Sequence, residues 1–163
     1  MRWQGRPTLT EPGPTDANTA RSAVVGFTAG VFDLFHVGHL NVIERSRALC
    51  DRLIVGVSSD ALVCQLKGRP PVIAEGDRMR IVAALRAVDQ VVLQTHTDYV
   101  AEWQRLRFDV ITKGDDWKGT PKWIELERTL GQEGVRVHFL PYTQEVSSTR
   151  LRGAVKHVRN ERR

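Results

Sequence analysis

The chain has few cysteines and no long apolar segment, and both absences exclude whole classes of protein. Its 163 residues include two cysteines, Cys50 and Cys64, which form no Cys-x-x-Cys pair. A disulfide-stapled scaffold therefore has little to form from. No stretch is long and apolar enough for a membrane helix, and the N-terminus lacks the apolar core of a secretory leader. These absences predict a cytoplasmic protein without a membrane segment.

Regular periodicity is missing from residues 1–22, where proline and glycine are crowded together. We interpret 1–22 as a disordered tail, 23–158 as one folded domain and 159–163 as a basic C-terminal tail. The net charge of +5 and the pI near 9.7 fit a partner that carries phosphate. Nucleic acid is disfavoured, because the basic residues are scattered except in 156–163, which is interpreted as a solvated helix end.

Apolar runs alternate with helical patterns through the body of the chain. The predicted strands are 24–29, 53–57, 90–93, 108–112 and 135–140. The predicted helices are 38–50, 75–87, 98–106, 120–132 and 148–158. This alternation predicts an α/β fold, a parallel sheet of about five strands with helices on both faces. Ligands of such sheets lie beyond the carboxyl ends of the strands, where the polar motifs of this chain fall.

The first of these motifs, His36-x-Gly-His39, lies between a predicted strand and a predicted helix. The free N–H groups and the dipole of a helix start favour an anion, and Gly38 has no Cβ to keep a phosphate away from the backbone. Three other interpretations compete. One histidine could cap the helix while the other packs, the pair could bind zinc, or the segment could be a dinucleotide fingerprint. The missing cysteine ligands disfavour zinc, and the glycine spacing does not fit a dinucleotide fingerprint.

Residues 30–39, Gly-Val-Phe-Asp-Leu-Phe-His-Val-Gly-His, resemble the signature of the nucleotidyltransferase superfamily that carries a His-x-Gly-His motif. Within it, the chain most resembles the glycerol-3-phosphate cytidylyltransferase type. The resemblance covers residues 23–155 and implies a Rossmann-like sheet. It also implies a catalytic role for His36 and His39, and nucleotide contacts from Gly30, Val31, Phe32, Asp33 and Gly38.

A predicted loop after the second strand contains Lys67-Gly68-Arg69. Cations in a flexible loop can fold over a polyphosphate, although an ordinary solvated loop has the same composition. Relatives carry a functional lysine here, and the resemblance implies that Lys67 is its counterpart and catalytic.

Arg78 lies at the start of a predicted helix, where a cation opposes the helix dipole. An acceptor phosphate and a salt bridge to Asp77 or Glu75 explain this placement equally well. The resemblance implies the first, since Arg78 matches the arginine of a Glu-x-Arg-like segment. Arg86 matches a second family arginine whose segment lacks its usual aromatic residue here, and it is also predicted to bind the acceptor.

The string Gly114-Asp115-Asp116-Trp117 follows the fourth predicted strand. Its carboxylates could accept hydrogen bonds from a nucleotide or position Mg²⁺, or one of them could cap the next helix. The string matches the cytidylyltransferase type almost letter for letter, which implies that both aspartates bind nucleotide and that Trp117 contacts the acceptor. Trp103 and Trp123 have helical spacing and are predicted to be core residues.

The last motif, residues 142–152, places hydroxyl groups ahead of a predicted helix, an arrangement that suits both an N-cap and an anion site. The family has an arginine where this chain has Tyr142, and a glycine where it has Glu145, which removes one expected triphosphate contact. The resemblance implies nucleotide binding by Thr143, Ser147, Ser148 and Thr149, and a catalytic role for Arg152.

The reaction implied by the resemblance is transfer of a cytidylyl group from CTP to a phosphorylated polyol, glycerol 3-phosphate by default, with release of pyrophosphate. Mg²⁺ would be held mainly by the triphosphate, and a homodimer is expected. One alternative keeps the chemistry but uses ATP or a sugar-phosphate acceptor, which the Ser-Ser-Thr-x-x-Arg string favours. Another is a binding module for phosphate or nucleic acid that has lost turnover.

Overall fold

The computed structural model describes residues 23–141 together with 151 and 153. Five parallel strands form one sheet in the order β3-β2-β1-β4-β5. The strands are β1 (Val25–Gly30), β2 (Arg52–Ser58), β3 (Gln90–Gln94), β4 (Val110–Gly114) and β5 (Arg136–Leu140). The predicted fold class, a Rossmann-like parallel sheet, is confirmed.

Five α-helices connect or follow the strands in the described part of the chain. They are α1 (Val37–Arg47), α2 (Asp60–Lys67), α3 (Glu75–Ala83), α4 (Tyr99–Leu106) and α5 (Pro121–Gln132). The helix α2 was predicted to be a loop. The Ser59 hydroxyl accepts from the Leu62 N–H at its start, and Gly68 ends it at a φ of +66°, a conformation that favours glycine. The helix predicted at 148–158 lies largely outside the described residues.

The two faces of the sheet bury separate apolar clusters, because successive side chains of a strand point to opposite faces. Leu53, Val55 and Val57 of β2 pack with Ile43 of α1 and Val82 of α3. On the other face, Phe27, Ile54 and Ile111 of the strands pack with Tyr99 of α4 and with Trp123 and Leu130 of α5. Helices therefore cover both faces, and the loops that follow the strands converge on the carboxyl edge. Trp123 is 1% exposed, which agrees with its prediction as a core residue.

A buried hydroxyl pair joins α1 to the sheet. Ser46 Oγ and Thr112 Oγ1 are 2.6 Å apart, and Ser46 Oγ also donates to Val42 O at 2.7 Å. Ser46 and Thr112 are almost completely buried. Because a hydrogen bond is directional, this contact constrains α1 more tightly than apolar packing alone.

Candidate active site

The two histidines of the motif lie together at the start of α1. His36 is the N-cap residue, and its Nδ1 accepts from the Gly38 N–H at 3.1 Å. Its carbonyl accepts from the His39 N–H at 2.9 Å. The two imidazole rings are stacked, with centroids 3.9 Å apart. Since Nδ1 is an acceptor in the neutral ring, the proton of neutral His36 is on Nε2.

His39 is held in an apolar surrounding. The rings of Phe32 and Phe35 lie with centroids 5.4 Å from the His39 ring. Burial, reinforced by the charges of His36 and Lys67 against the opposing effect of Asp33, lowers the pKa of His39 to about 4. Its Nδ1 is buried and has no hydrogen-bond partner among the described residues. At neutral pH His39 is therefore an uncharged imidazole with an unused polar atom.

The loop between β1 and α1 has an unusual backbone. Phe32 and Leu34 adopt φ values of +53° and +49°, a region that bulky side chains seldom occupy. Asp33 lies between them, 2% exposed, and its carboxylate accepts from the backbone N–H groups of Val72 and Ile73 at 3.0 to 3.1 Å. Asp33 thus ties the β1–α1 loop to the segment between α2 and α3, a structural role that the resemblance did not indicate.

Arg78 completes this connection. Its side chain is fully buried, and the guanidinium donates to Ile73 O at 2.9 Å, to Val31 O and to the Asp60 carboxylate at 2.6 Å. The salt-bridge interpretation of Arg78 therefore fits the structure, with Asp60 as the partner instead of Asp77 or Glu75. Because the guanidinium has no exposed surface in this arrangement, it cannot contact the acceptor substrate. Its predicted role in acceptor binding stays a prediction.

A cavity of about 240 Å³ opens at the carboxyl ends of β1, β2, β3 and β4. Lys67, at the last residue of α2, is one of its lining residues, and its charge also acts on His39. Lys67 thus links the histidine pair to the cavity. The polar and aromatic lining residues are Ser58, Lys67, Gln94, Thr97, Tyr99, Lys113, Trp117, Lys122 and Trp123.

Among the described residues, three lysines and no carboxylate line this cavity. Lys113 Nζ lies 3.3 Å from the Tyr99 hydroxyl and 5.3 Å from the centre of the Trp117 ring. Lys122 Nζ donates to Thr97 O at 3.2 Å. With no acidic side chain in the lining to balance these cations, the cavity suits an anionic ligand.

The Gly-Asp-Asp-Trp string lies at the same edge. Asp115 and Asp116 are exposed in a short 3-10 turn after β4, and Trp117 is 42% exposed at the cavity. A Cβ on Gly114 would lie 2.4 Å from Asp116 Oδ1, so a larger residue at this position would displace the Asp116 carboxylate. Neither aspartate caps α5, whose N-cap residue is Thr120, so the capping alternative is wrong.

Not every predicted residue is brought to this edge. Arg86 precedes β3 and is exposed at the amino end of the strand, on the opposite edge of the sheet from the histidines. This position does not bring Arg86 together with the other predicted acceptor residues. The last motif, Thr143, Ser147, Ser148, Thr149 and Arg152, lies outside the described residues, as do Tyr142 and Glu145.

Sequence reasoning missed several residues of the cavity. Gln94 ends β3, Lys113 precedes Gly114, and Tyr99 and Lys122 open α4 and α5. The signal for Gln94 was present: a polar residue at the end of an apolar strand lies at the ligand edge of a parallel sheet. Lys113 had no comparable signal, whereas Lys122 lies in the first turn of α5, where a cation opposes the helix dipole as Arg78 does.

The described residues contain no group of three or more His, Cys, Asp or Glu side chains placed to hold a metal ion. A protein cage for Mg²⁺ is therefore absent from this part of the chain. Likewise, none of the helices in the described ranges is long and apolar enough to cross a membrane.

Comparison with known proteins identifies the family. Residues 27–154 match the family model described as cytidylyltransferase-like. This chain belongs to that family. The match confirms the predicted nucleotidyltransferase superfamily and the predicted enzyme class. The specificity for CTP and glycerol 3-phosphate stays a prediction.

Curated relatives of this family member include bifunctional HldE proteins. The chain is 42% identical over 110 residues to the protein from Nitrobacter hamburgensis, covering 67% of this chain and 21% of the relative. It is 34% identical over 140 residues to the protein from Geobacter metallireducens, and the alignment covers 85% of this chain and 28% of the relative. The chain thus spans about a quarter of the length of these relatives.

A solved structure also aligns with the cytidylyltransferase-like chain along most of its described length. The lipopolysaccharide core biosynthesis protein from Thermoplasma volcanium superposes with a TM-score of 0.63 at 27% identity, covering 76% of this chain and 99% of that protein. Pantothenate synthetase from Thermus thermophilus superposes with a TM-score of 0.57 at 19% identity, covering 78% and 61%, which shows a shared fold alone.

Proposed function

We propose that this protein transfers the adenylyl group of ATP to the phosphate of a sugar phosphate and releases pyrophosphate. The similarity to HldE proteins favours ATP and a sugar phosphate over CTP and glycerol 3-phosphate. The Thermoplasma relative is named for the biosynthesis of a lipopolysaccharide core, whose building blocks are sugars. The Ser-Ser-Thr-x-x-Arg string points the same way.

The observation that carries the proposal is the juxtaposition of the neutral histidine pair with a lysine-lined cavity. Lys67 belongs to the cavity, and its charge acts on His39, so the two places are parts of one site. Three lysines suit an acceptor that carries phosphate, and Tyr99, Trp117 and Trp123 supply apolar walls for a small organic ligand. An acceptor in the cavity would have its phosphate close to the phosphates held at the start of α1.

The chemistry requires no protein nucleophile. An oxygen of the acceptor phosphate attacks the α-phosphorus, a new P–O bond forms, and the bond from the α-phosphorus to the bridging oxygen breaks. Pyrophosphate leaves with that electron pair. Catalysis then consists of positioning the two substrates in line and stabilising the charge that develops on the phosphoryl oxygens.

The described residues supply donors for these oxygens. Neutral His36 offers an N–H at Nε2, and His39 is a neutral imidazole beside it. The dipole of α1 adds a positive potential at the same place. The Lys67 ammonium would neutralise charge on the transferred group or on the leaving pyrophosphate. Arg152 keeps its predicted catalytic role as part of the proposal, although it lies outside the described residues.

Mg²⁺ remains part of the proposal as a companion of the nucleotide. Bound to the triphosphate, it would reduce the charge on the leaving group. Its ligands would be oxygens of the nucleotide itself, because the described residues form no cluster that would replace them. The homodimer and the cytoplasmic location stay predictions.

A second candidate keeps CTP and glycerol 3-phosphate as the substrates. The Gly-Asp-Asp-Trp string favours it, because this string matches the cytidylyltransferase type and lies at the cavity. The exposed carboxylates of Asp115 and Asp116 could accept hydrogen bonds from the exocyclic amine of cytosine or from a ribose hydroxyl.

A pyrophosphate-release assay tests the proposal. ATP and CTP are each combined with glucose 1-phosphate, mannose 1-phosphate, a heptose phosphate and glycerol 3-phosphate in the presence of Mg²⁺. We expect release with ATP and a sugar phosphate, and almost none from a His39→Gln variant prepared in the same way. Release with CTP and glycerol 3-phosphate alone would establish the second candidate. No release with any pair would contradict both.

A further inference from the structure

Gln94 is the last residue of β3 and lies at the floor of the cavity. It is 2% exposed and pairs in the sheet with Ser58, which ends β2. Both residues line the cavity, and both end their strands at the carboxyl edge. A long polar side chain so completely buried needs hydrogen-bond partners.

The hydrogen bonds of Gln94 account for all but one of its polar groups. Its backbone carbonyl accepts from the Ser59 N–H at 2.8 Å, and its side-chain Oε1 accepts from Ser58 Oγ at 3.3 Å. The amide nitrogen Nε2 is buried and has no partner among the described residues. Turning the amide over would bond Nε2 to the Ser58 hydroxyl and leave Oε1 without a partner instead. One half of this amide is thus unused in either orientation.

A buried amide group without a partner reduces the stability of the free protein, because it has lost its hydrogen bonds to water and has formed none in the fold. An apolar side chain of the same length would avoid this cost and fill the same space. The cavity beside it suits a phosphorylated ligand with further polar groups, since its lining combines lysines, hydroxyls and aromatic rings. None of the described residues supplies the missing partner of the amide, and a ligand in this cavity is placed to supply it.

We propose that Gln94 determines acceptor specificity by hydrogen-bonding one hydroxyl group of the sugar phosphate, with Ser58 holding the amide in place. The inference rests on the proposed function, since it assumes a sugar phosphate in this cavity. Gln94 recognises the acceptor and takes no part in the transfer itself. It therefore affects the binding of the acceptor and leaves the nucleotide alone.

The test replaces Gln94 by methionine, which keeps the length of the side chain and removes its amide. Gln104→Met, at an exposed position in α4, is the matched control. Glucose 1-phosphate, mannose 1-phosphate and a heptose phosphate are titrated calorimetrically into each protein, and ATP is titrated separately. We expect Gln94→Met to bind the best of these sugar phosphates about tenfold more weakly, as suits one lost hydrogen bond, while its affinity for ATP and that of the control are unchanged.

The stability of Gln94→Met is a second measurement, and it distinguishes a role of the amide in ligand binding from a role in the fold. If the amide serves the ligand, Gln94→Met should unfold at close to the same urea concentration as the parent protein, because removal of the unpaired Nε2 offsets the loss of the acceptor for the Ser58 hydroxyl. If the amide serves the fold, the midpoint should fall, and the affinities for sugar phosphate and ATP should fall together. That combination would overturn the inference.

Monodeoxy derivatives of the best-bound sugar phosphate locate the hydroxyl. The parent protein should lose about tenfold in affinity for one derivative, and Gln94→Met should bind that derivative and the full sugar phosphate equally. Equal losses for every derivative in both proteins would overturn the inference, as would a parent protein that binds no sugar phosphate. Binding without pyrophosphate release would instead contradict the proposed function and leave the role of Gln94 in recognition intact.

Discussion

Two groups of buried polar side chains lie around the carboxyl edge of the sheet, and they differ in how their hydrogen bonds are used. In one group, Arg78 donates to three acceptors and Asp33 accepts two backbone N–H groups. In the other group, His39 and Gln94 each keep a buried atom that has no partner among the described residues. Both groups are assembled from residues that are distant in sequence.

The difference distinguishes residues that hold the site together from residues that are left with polar atoms for a ligand. A saturated network contributes to stability and holds loops in place, because removing any member leaves other buried groups unpaired. An unsaturated group costs stability and persists where a ligand completes it. Under the proposed function, Arg78 and Asp33 belong to the framework, whereas His39 and Gln94 belong to the surface that binds substrate.

The largest expected effect is on the framework side. Arg78→Met should lower the free energy of unfolding by about 3 kcal/mol, because it strands the carbonyls of Val31 and Ile73 and breaks the ion pair with Asp60. Urea unfolding followed by circular dichroism measures this. Arg80→Met, whose parent side chain is 87% exposed, is the control and should change stability by less than about 0.5 kcal/mol. A stable Arg78→Met protein that binds sugar phosphate poorly would reverse the comparison and support the acceptor role predicted from sequence.

The second effect is on the ligand side. His39→Gln should reduce turnover by about 10²–10³-fold, because it removes a group placed against the transferred phosphate, while the free energy of unfolding changes by no more than about 1 kcal/mol. Steady-state pyrophosphate release and urea unfolding are measured on the same preparation. His138→Gln, at an exposed position of β5, should retain full turnover. A His39→Gln protein with near-normal turnover would remove the histidine pair from the mechanism.

The third effect is a dependence of stability on pH that arises from His39. The pKa of His39 is about 4 in the folded protein and about 6.5 when the chain is unfolded, so between these values the unfolded chain binds the extra proton. Stability due to this group is complete above pH 6.5 and is lost as the pH falls towards 4, by up to roughly 3 kcal/mol. Urea midpoints at pH 7.5 and 4.5 should therefore differ more for the parent protein than for His39→Gln. Equal differences would show that His39 does not carry the titration.

The fold was accessible from sequence because each strand is a short apolar run bounded by polar residues, and the rule for parallel sheets then assigned the ligand edge. The helix α2 was missed because it is short, although Ser59 and Gly68 signal its two ends. The hydrogen-bond partners of Arg78 and Gln94 were not accessible. They include Val31 and Ser58, which lie 47 and 36 residues away and meet these two residues only when the strands pair.

Ser46 is not among the residues that line the cavity, yet its contact with Thr112 constrains the helix that carries His39. Ser46 follows His39 by seven residues on α1, so the two share one side of the helix, about 10 Å apart along its axis. The hydroxyl contact with Thr112 opposes rotation of α1, because a rotation that moved the imidazole would also pull Ser46 away from its partner. The position of α1, and with it that of the histidine, is thus constrained two turns away by a hydroxyl pair that is almost completely buried.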